Sequence, residues 1–115
     1  MSIQIIHNPI PKTELEKIAK DQFGDWVKAV VDVDRHVMAI GGDLHADEEA
    51  VLLQNGSQRK NVWGINLWLD KNPDEWIEFN SMINVRPSQQ NQSRGVENEF
   101  VREEIKKVVG ELIIF

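Results

Sequence analysis

Residues 26–33 alternate between apolar and polar side chains, and this stretch constrains the fold more than any other. Lys28 and Asp32 fall on one side, and four apolar residues fall on the other: Val27, Ala29, Val31 and Val33. Successive side chains of a β-strand point to opposite faces, so the pattern predicts a strand with one face in the core and one face in water. The following residues predict a turn at 34–35 and a returning antiparallel strand over 36–40.

Further turn signals divide the next part of the chain into three more strands. Residues 50–54 predict a third strand, and the Asn-Gly pair at 55–56 predicts a type I′ hairpin turn because both residues accept positive φ. A fourth strand over 57–69 and a fifth over 75–85 are separated by a turn that contains an Asn-Pro pair. Consecutive hairpins of this kind predict an antiparallel, meander-like sheet.

The last of these hairpins also predicts a register. Leu67 is expected opposite Ile77, and Trp68 opposite Trp76. One face of the hairpin is then apolar: Trp63, Ile65, Leu67, Ile77, Phe79 and Ile83. Trp68 and Trp76 share the other, mixed face with Met82, and aromatic and Met side chains are enriched at the centres of interfaces, so this face predicts a homodimer. The alternative is a cross-strand aromatic pair that only stabilises the hairpin.

Two helices are expected to frame the strands. Thr13-x-x-Glu16 matches a capping box and predicts a helix over 13–23. Asn98 predicts the cap of a last helix, whose apolar positions share one face: Val101, Ile105, Val108 and Leu112. The chain has 115 residues, which suffices for one domain and not for two. We therefore predict a single domain over residues 1–115 with a two-layer α+β fold, in which a five-stranded antiparallel sheet carries the N-terminal and C-terminal helices on one face.

The charge balance argues against two classes of partner. The chain has 13 basic and 19 acidic residues, a formal charge of −6, and no run of more than two adjacent basic residues. Because phosphate neutralisation supplies most non-specific affinity for nucleic acids, we predict binding to neither nucleic acids nor anionic membranes. The chain has no cysteine, which excludes disulfides, thiolate metal sites and a Cys nucleophile. It also has no long apolar span and no signal-peptide pattern, so cytoplasmic residence is expected.

Three segments carry a family resemblance: residues 28–55, residues 63–66 and residues 83–95. The most specific parts are GGDLHAD at 41–47 and INVRPSQ at 83–89. Through these segments the chain resembles a small family of bacterial proteins that is classified as a domain of unknown function. The resemblance covers nearly the whole chain and implies a bacterial, single-domain protein. That family has no established activity, so the resemblance assigns no role to any residue.

The first candidate site is the glycine- and acid-rich segment at residues 41–49. If this segment is extended, its alternation puts Asp43, His45 and Asp47 on one side. Carboxylate and imidazole ligands suit Zn²⁺, Mn²⁺ or Fe²⁺, and carboxylates alone suit Mg²⁺, so a divalent metal is the cofactor that this segment predicts. The alternative is a solvated loop in which His45 hydrogen-bonds to one of the two aspartates.

The second candidate site is the polar segment at residues 86–95, which joins the last predicted strand to the last helix. Four of its side chains form a donor-rich set that suits a carboxylate or a phosphate: Arg86, Ser88, Asn91 and Arg94. Glu97 and Glu99, at the start of the helix, would oppose an anion there. The alternative is a mobile loop in which Arg86 pairs with a nearby acid.

The motifs leave open whether the chain is an enzyme, because it contains no nucleophile elbow, P-loop or HExxH pattern. We expect a ligand-binding or regulatory module rather than an enzyme, with a site between residues 41–49 and 86–94 for a small polar or anionic ligand. Two alternatives stay open. One is a metal-assisted hydrolase that uses Asp43, His45 and Asp47, and the other is a homodimeric interaction module that uses the Trp68/Trp76 face.

Overall fold

The computed structural model describes residues 2–115 and contains three helices and a five-stranded antiparallel sheet. The helices are α1 (Lys12–Asp21), α2 (His45–Gln54) and α3 (Glu99–Leu112). The strands, in chain order, are β1 (Gln4–Ile6), β2 (Ile10–Pro11), β3 (Trp26–Asp32), β4 (Val37–Ile40), β5 (Val62–Trp68), β6 (Ile77–Glu78) and β7 (Ile113–Ile114). The order across the sheet is β1-β4-β3-β5-β6, and β2 pairs with β7 in parallel. Within residues 2–115, no helix has the length and apolar character needed to cross a bilayer.

β3, β4, β5 and the terminal helices form at the predicted places, but the side of β3 predicted to lie in water is largely buried as well, with Val30 packed against Leu52 of α2. The apolar side of β3 is fully buried, and its residues pair with apolar residues of β5, such as Ala29 with Ile65. Both terminal helices pack on this face through buried side chains: Leu15 and Ala19 of α1, and Ile105, Val108, Val109 and Leu112 of α3. The predicted Asn98 cap is also confirmed, because its side-chain oxygen accepts hydrogen bonds from the backbone of Phe100 and Val101 at 2.8 and 3.2 Å. The α+β class and the placement of both terminal helices are confirmed.

The third predicted strand is wrong, because residues 50–54 belong to α2. This helix covers the opposite face of the sheet, where Leu52 is fully buried against Val30, Val37, Ala39 and Val62. The Asn-Gly pair ends the helix instead of turning a hairpin: Gly56 has a φ of 103°, and its N–H donates to the Leu53 carbonyl. The fifth strand of the sheet is β1, which pairs with β4.

The predicted capping box of the first helix is also wrong. α1 begins at Lys12, one residue before Thr13, and its N-cap position is Pro11, which makes no side-chain cap. Pro11 lies in β2, whose pairing with β7 sets where the helix begins. Thr13 therefore lies inside the first turn, where its side chain cannot act as the cap.

The last predicted hairpin has the expected register but a much shorter second strand. Leu67 pairs with Ile77, as predicted, and Asn66 pairs with Glu78, but β6 ends at Glu78 instead of Val85. Beyond the end of β6, the side chain of Asn84 forms hydrogen bonds to the backbone of β5 in place of a strand. It accepts a hydrogen bond from the Gly64 N–H and donates one to the Gly64 carbonyl, each at 2.9 Å. The backbone is therefore released into a 3-10 turn at Met82–Asn84.

The predicted shared face of the two tryptophans does not form. Trp76 precedes β6, so strand alternation does not govern it, and its side chain is buried in the core beside α3, in edge contact with Phe115. Trp68 lies on the other face of the sheet and stacks on Trp26, with ring centroids 5.1 Å apart. The homodimer was expected to use both tryptophans, but Trp76 is buried and does not contribute to an exposed face.

Candidate functional site

The two polar segments predicted to form a site do come together, on the sheet face that α2 covers. Arg86 Nη2 lies 3.6 Å from Glu49 Oε2 in α2. Farther along the same segment, Arg94 lines a recess together with His45, the first residue of α2. The individual side chains nevertheless have roles that differ from the predicted ones.

Arg86 spends most of its hydrogen-bonding capacity on the protein itself. Its side chain is only 8% exposed, and it donates hydrogen bonds to three backbone carbonyls: those of Ile83 (2.8 Å), Arg59 (2.7 Å) and Val62. The guanidinium also lies over the Trp63 ring, 4.6 Å from its centroid. Most of the guanidinium is therefore engaged by the protein, although Arg86 also borders a surface recess of about 270 Å³.

Asn91 and Ser88 lie outside the recess that Arg94 lines. Asn91 is 3% exposed, and its amide bonds the carbonyls of Asn84 and Gly95 at 2.7 and 2.8 Å while its oxygen accepts from the Glu97 N–H. Ser88 is exposed on a 3-10 turn and does not line the recess. The loop, which the alternative interpretation expected to be mobile, is therefore held in place by a buried amide side chain.

The carboxylate of Glu97 holds the same loop from outside. It accepts hydrogen bonds from the backbone N–H groups of Gln92 and Ser93 at 2.7 and 2.8 Å. These bonds lower the pKa of Glu97, because they favour the charged carboxylate. An anion is therefore excluded from these N–H groups, as the sequence had indicated for this end of α3.

The metal trio does not assemble. Its premise was an extended segment, but the helix begins at His45, so Asp43 precedes it and Asp47 lies in its first turn. Asp43 is exposed and accepts a hydrogen bond from Gln22 Nε2 at 3.2 Å, and Asp47 is exposed as well. Across residues 2–115, no group of three His, Asp or Glu side chains is arranged to hold a metal ion. The structure therefore gives the metal-assisted hydrolase no metal centre.

What remains is a recess of about 200 Å³ at the start of α2, which we call the α2 recess. Its chemistry comes from Lys28 of β3, His45 of α2 and Arg94 of the loop at residues 86–95. The recess is also lined by Leu44, Ser81 and Met82. Arg94 is held at this place by its own carbonyl, which accepts from Ser81 N–H at 2.9 Å and from Asn84 Nδ2 at 3.0 Å.

His45 is fixed in one orientation by the main chain of β5. Its Nε2 lies 2.8 Å from the Ile65 carbonyl oxygen, and because a carbonyl only accepts, Nε2 carries the hydrogen. Burial lowers the pKa of His45 below its usual 6.5, and the positive charges of Lys28 and Arg94 lower it further, against the opposing effects of the Ile65 and Asn66 contacts. The imidazole is therefore neutral at pH 7, with Nδ1 unprotonated.

We expect NMR titration of the imidazole to show this directly. At pH 7 the ¹⁵N shifts should indicate a neutral ring with hydrogen on Nε2, and the protonation midpoint should lie below 6.5. Lys28→Gln should raise the midpoint, because it removes a positive charge that disfavours the imidazolium. A midpoint that is unchanged in Lys28→Gln would contradict the assigned arrangement.

Lys28 is the site residue that the sequence analysis missed. From the sequence, Lys28 was expected only to lie on the solvent-facing side of a strand. In the sheet it pairs with Asn66 of β5, which in turn pairs with Glu78 of β6, so a polar row crosses three strands. Asn66 Nδ2 donates to Glu78 Oε1 at 2.8 Å within this row. The missing information was the pairing of β3 with β5, which are far apart in the chain.

A second missed residue is Glu48, which is fully buried one turn into α2. Its Oε2 accepts a hydrogen bond from Gly42 N–H at 3.0 Å, and its Oε1 is buried without a partner. Burial raises the pKa of Glu48 to about 9. The carboxyl is therefore neutral at pH 7, although Lys28 is close enough to oppose the shift.

The pattern of the whole chain identifies its family. A family model described as "Protein of unknown function (DUF5674)" matches residues 4–112. This chain belongs to the DUF5674 family. The match spans β1 to the end of α3, so the sheet, all three helices and the α2 recess of this DUF5674 domain lie within it. No curated protein and no solved structure matches the chain.

Proposed function

We propose that the protein binds a small anion, a carboxylate or a phosphate, in the α2 recess. The observation that carries the proposal is the presence of two cationic side chains, Lys28 and Arg94, on a wall that contains no acidic side chain within the described chain. This concentration of positive charge stands out on a chain whose formal charge is −6. Ammonium and guanidinium groups form the strongest hydrogen bonds to carboxylates and phosphates.

Two further features support an anion. The first turn of α2 borders the recess, and its N-cap residue, Leu44, provides no side-chain cap, so no capping side chain engages the first backbone N–H groups of the helix. The nearby buried acid, Glu48, is neutral at pH 7 and therefore does not cancel the charge of Lys28.

The size of the recess limits the ligand. Sites for drug-sized molecules usually measure about 300–1,000 Å³. The α2 recess, at about 200 Å³, fits a smaller molecule. A free nucleotide or a cofactor of similar size is therefore a poor candidate, and a metabolite with one anionic group is a better one.

Titration with acetate and with inorganic phosphate tests the proposal. At constant ionic strength, either anion should shift the backbone amide signals of His45 and Ala46 in ¹⁵N–¹H spectra. Arg94→Gln and Lys28→Gln should each weaken binding by about ten-fold, because each removes a charge-assisted hydrogen bond. Lys107→Gln removes the same charge from an exposed position of α3 and should leave the affinity unchanged. Loss of the ligand-dependent shifts in the Lys107 variant as well, or their persistence in both site variants, would refute the proposed site.

Three expectations from the sequence stay predictions: a bacterial source, a cytoplasmic location and a homodimer. The homodimer can no longer use Trp76, which is buried in the core. Light scattering at high protein concentration would decide it, since a monomeric mass excludes a stable dimer.

A further inference from the structure

The rim of the α2 recess is apolar. Leu44 and Met82 line the recess beside its cationic groups, yet they are 55% and 66% exposed. They come from different elements, the N-cap of α2 and the 3-10 turn after β6, and the fold brings them to one opening. Leu and Met side chains gain free energy when they leave water, so a ligand that covers them gains affinity.

Charge and shape together indicate which ligand fits. Inorganic phosphate or another purely polar anion would neutralise Lys28 and Arg94 but leave both apolar side chains in water. A carboxylate that carries an alkyl chain satisfies both parts of the wall. Its planar head matches the fork of the Arg94 guanidinium, and the Met82 side chain adapts to an unbranched chain because it is itself flexible.

We propose that the α2 recess takes an aliphatic monocarboxylate, with its head between Lys28 and Arg94 and its alkyl chain across Leu44 and Met82. This inference rests on the proposed function and narrows it from an anion to one class of anion. The recess volume of about 200 Å³ is the space of about seven water molecules, so an acid of roughly four to six carbons fills it.

A chain-length series provides the test. Acetate, butyrate and hexanoate are titrated against the protein by ¹⁵N–¹H NMR at constant pH and ionic strength. The affinity should rise about two- to four-fold for each added methylene group that leaves water. Hexanamide has the same length without the charge, and it should bind at least about ten-fold more weakly than hexanoate.

Variants of the two apolar rim residues test where the alkyl chain of the ligand lies. Met82→Ser and Leu44→Ser should each lower the ratio of hexanoate affinity to acetate affinity by several-fold. Phe100→Ser is the matched control, because Phe100 is an apolar residue 85% exposed on α3, outside the recess, and its loss should leave the ratio unchanged. Met82 and Leu44 are largely exposed, so both variants should fold, and the amide spectrum verifies this.

The outcomes separate the two proposals. If acetate binds through Arg94 but affinity does not depend on chain length, the aliphatic class is wrong and the anion site stands. If the ratio of hexanoate affinity to acetate affinity is unchanged in both Leu44→Ser and Met82→Ser, the alkyl chain of the ligand does not lie on these side chains, and the inference is also wrong. If none of these carboxylates binds while phosphate does, the ligand is a purely polar anion and the inference fails. If neither carboxylates nor phosphate binds, the proposed function itself fails.

Discussion

Replacing Arg86 by methionine should destabilise the protein by about 3–5 kcal/mol. Methionine keeps most of the volume but removes every donor. The carbonyls of Ile83, Arg59 and Val62 then lose their partner, and Glu49 keeps its buried charge without its buried counter-ion. Urea unfolding followed by tryptophan fluorescence measures the loss.

Arg59→Met is the matched control for Arg86→Met. Arg59 also pairs with Glu49, at 3.5 Å, but its side chain is 70% exposed. An exposed ion pair contributes about 0–1 kcal/mol, so this variant should lose much less stability. If Arg86→Met costs no more than Arg59→Met, the internal hydrogen bonds of Arg86 do not have the role assigned to them.

The second large effect is expected at Glu48. Its pKa is about 9 in the folded protein and 4.5 is the usual value, so between these pH values the folded state retains a proton that the unfolded state has lost. Stability therefore falls as the pH rises through this window, with a slope that approaches ~1.4 kcal/mol for each pH unit. Glu48→Gln removes the ionisable group but keeps the acceptor for Gly42 N–H. The variant should be more stable than the parent by about 3 kcal/mol at pH 7, and by more at higher pH.

Urea unfolding of parent and variant at pH 4, 6 and 8 measures this difference. The two proteins should be similar at pH 4, where the carboxyl is protonated in both states, and should diverge steadily above it. Glu104→Gln makes the same chemical change at an exposed position of α3 and should show no such divergence. A constant difference between Glu48→Gln and the parent across this range would contradict the raised pKa.

The sheet could be predicted where local pattern and burial agree. β3, β4 and β5 have apolar residues at every second position on the face that α1 and α3 cover, and the pattern needs no knowledge of the partner strand. α2 could not be predicted in this way because much of its inward face is made of acids. Glu48 and Glu49 are buried together with Leu52, so hydrophobic periodicity does not reveal the helix. The acids at 47–49 followed by Leu52 and Leu53 were the available signal, since acidic residues favour a first helical turn.

The sequence predicts which two polar segments come together, but not which of their side chains line the α2 recess. The sequence indicated that residues 41–49 and 86–94 would form one site, and two of the residues expected there, His45 and Arg94, line the α2 recess. Arg86 and Asn91 were expected to bind a ligand because a polar segment without apolar residues suggests a ligand site, and in the structure both side chains form hydrogen bonds to the chain itself. Such internal satisfaction depends on which carbonyls the fold leaves unpaired, and no local pattern carries that information.

The parallel pair of β2 and β7 has a consequence for synthesis of the chain. Ile10 of β2 cannot pair until Ile113 of β7 has been synthesised. The face of β3 and β5 that α3 covers stays exposed until the residues of that helix have left the ribosome. Because translation proceeds at ~5–20 residues per second, this apolar surface stays exposed for a few seconds. The sheet is therefore expected to reach its full stability only after α3 has been synthesised.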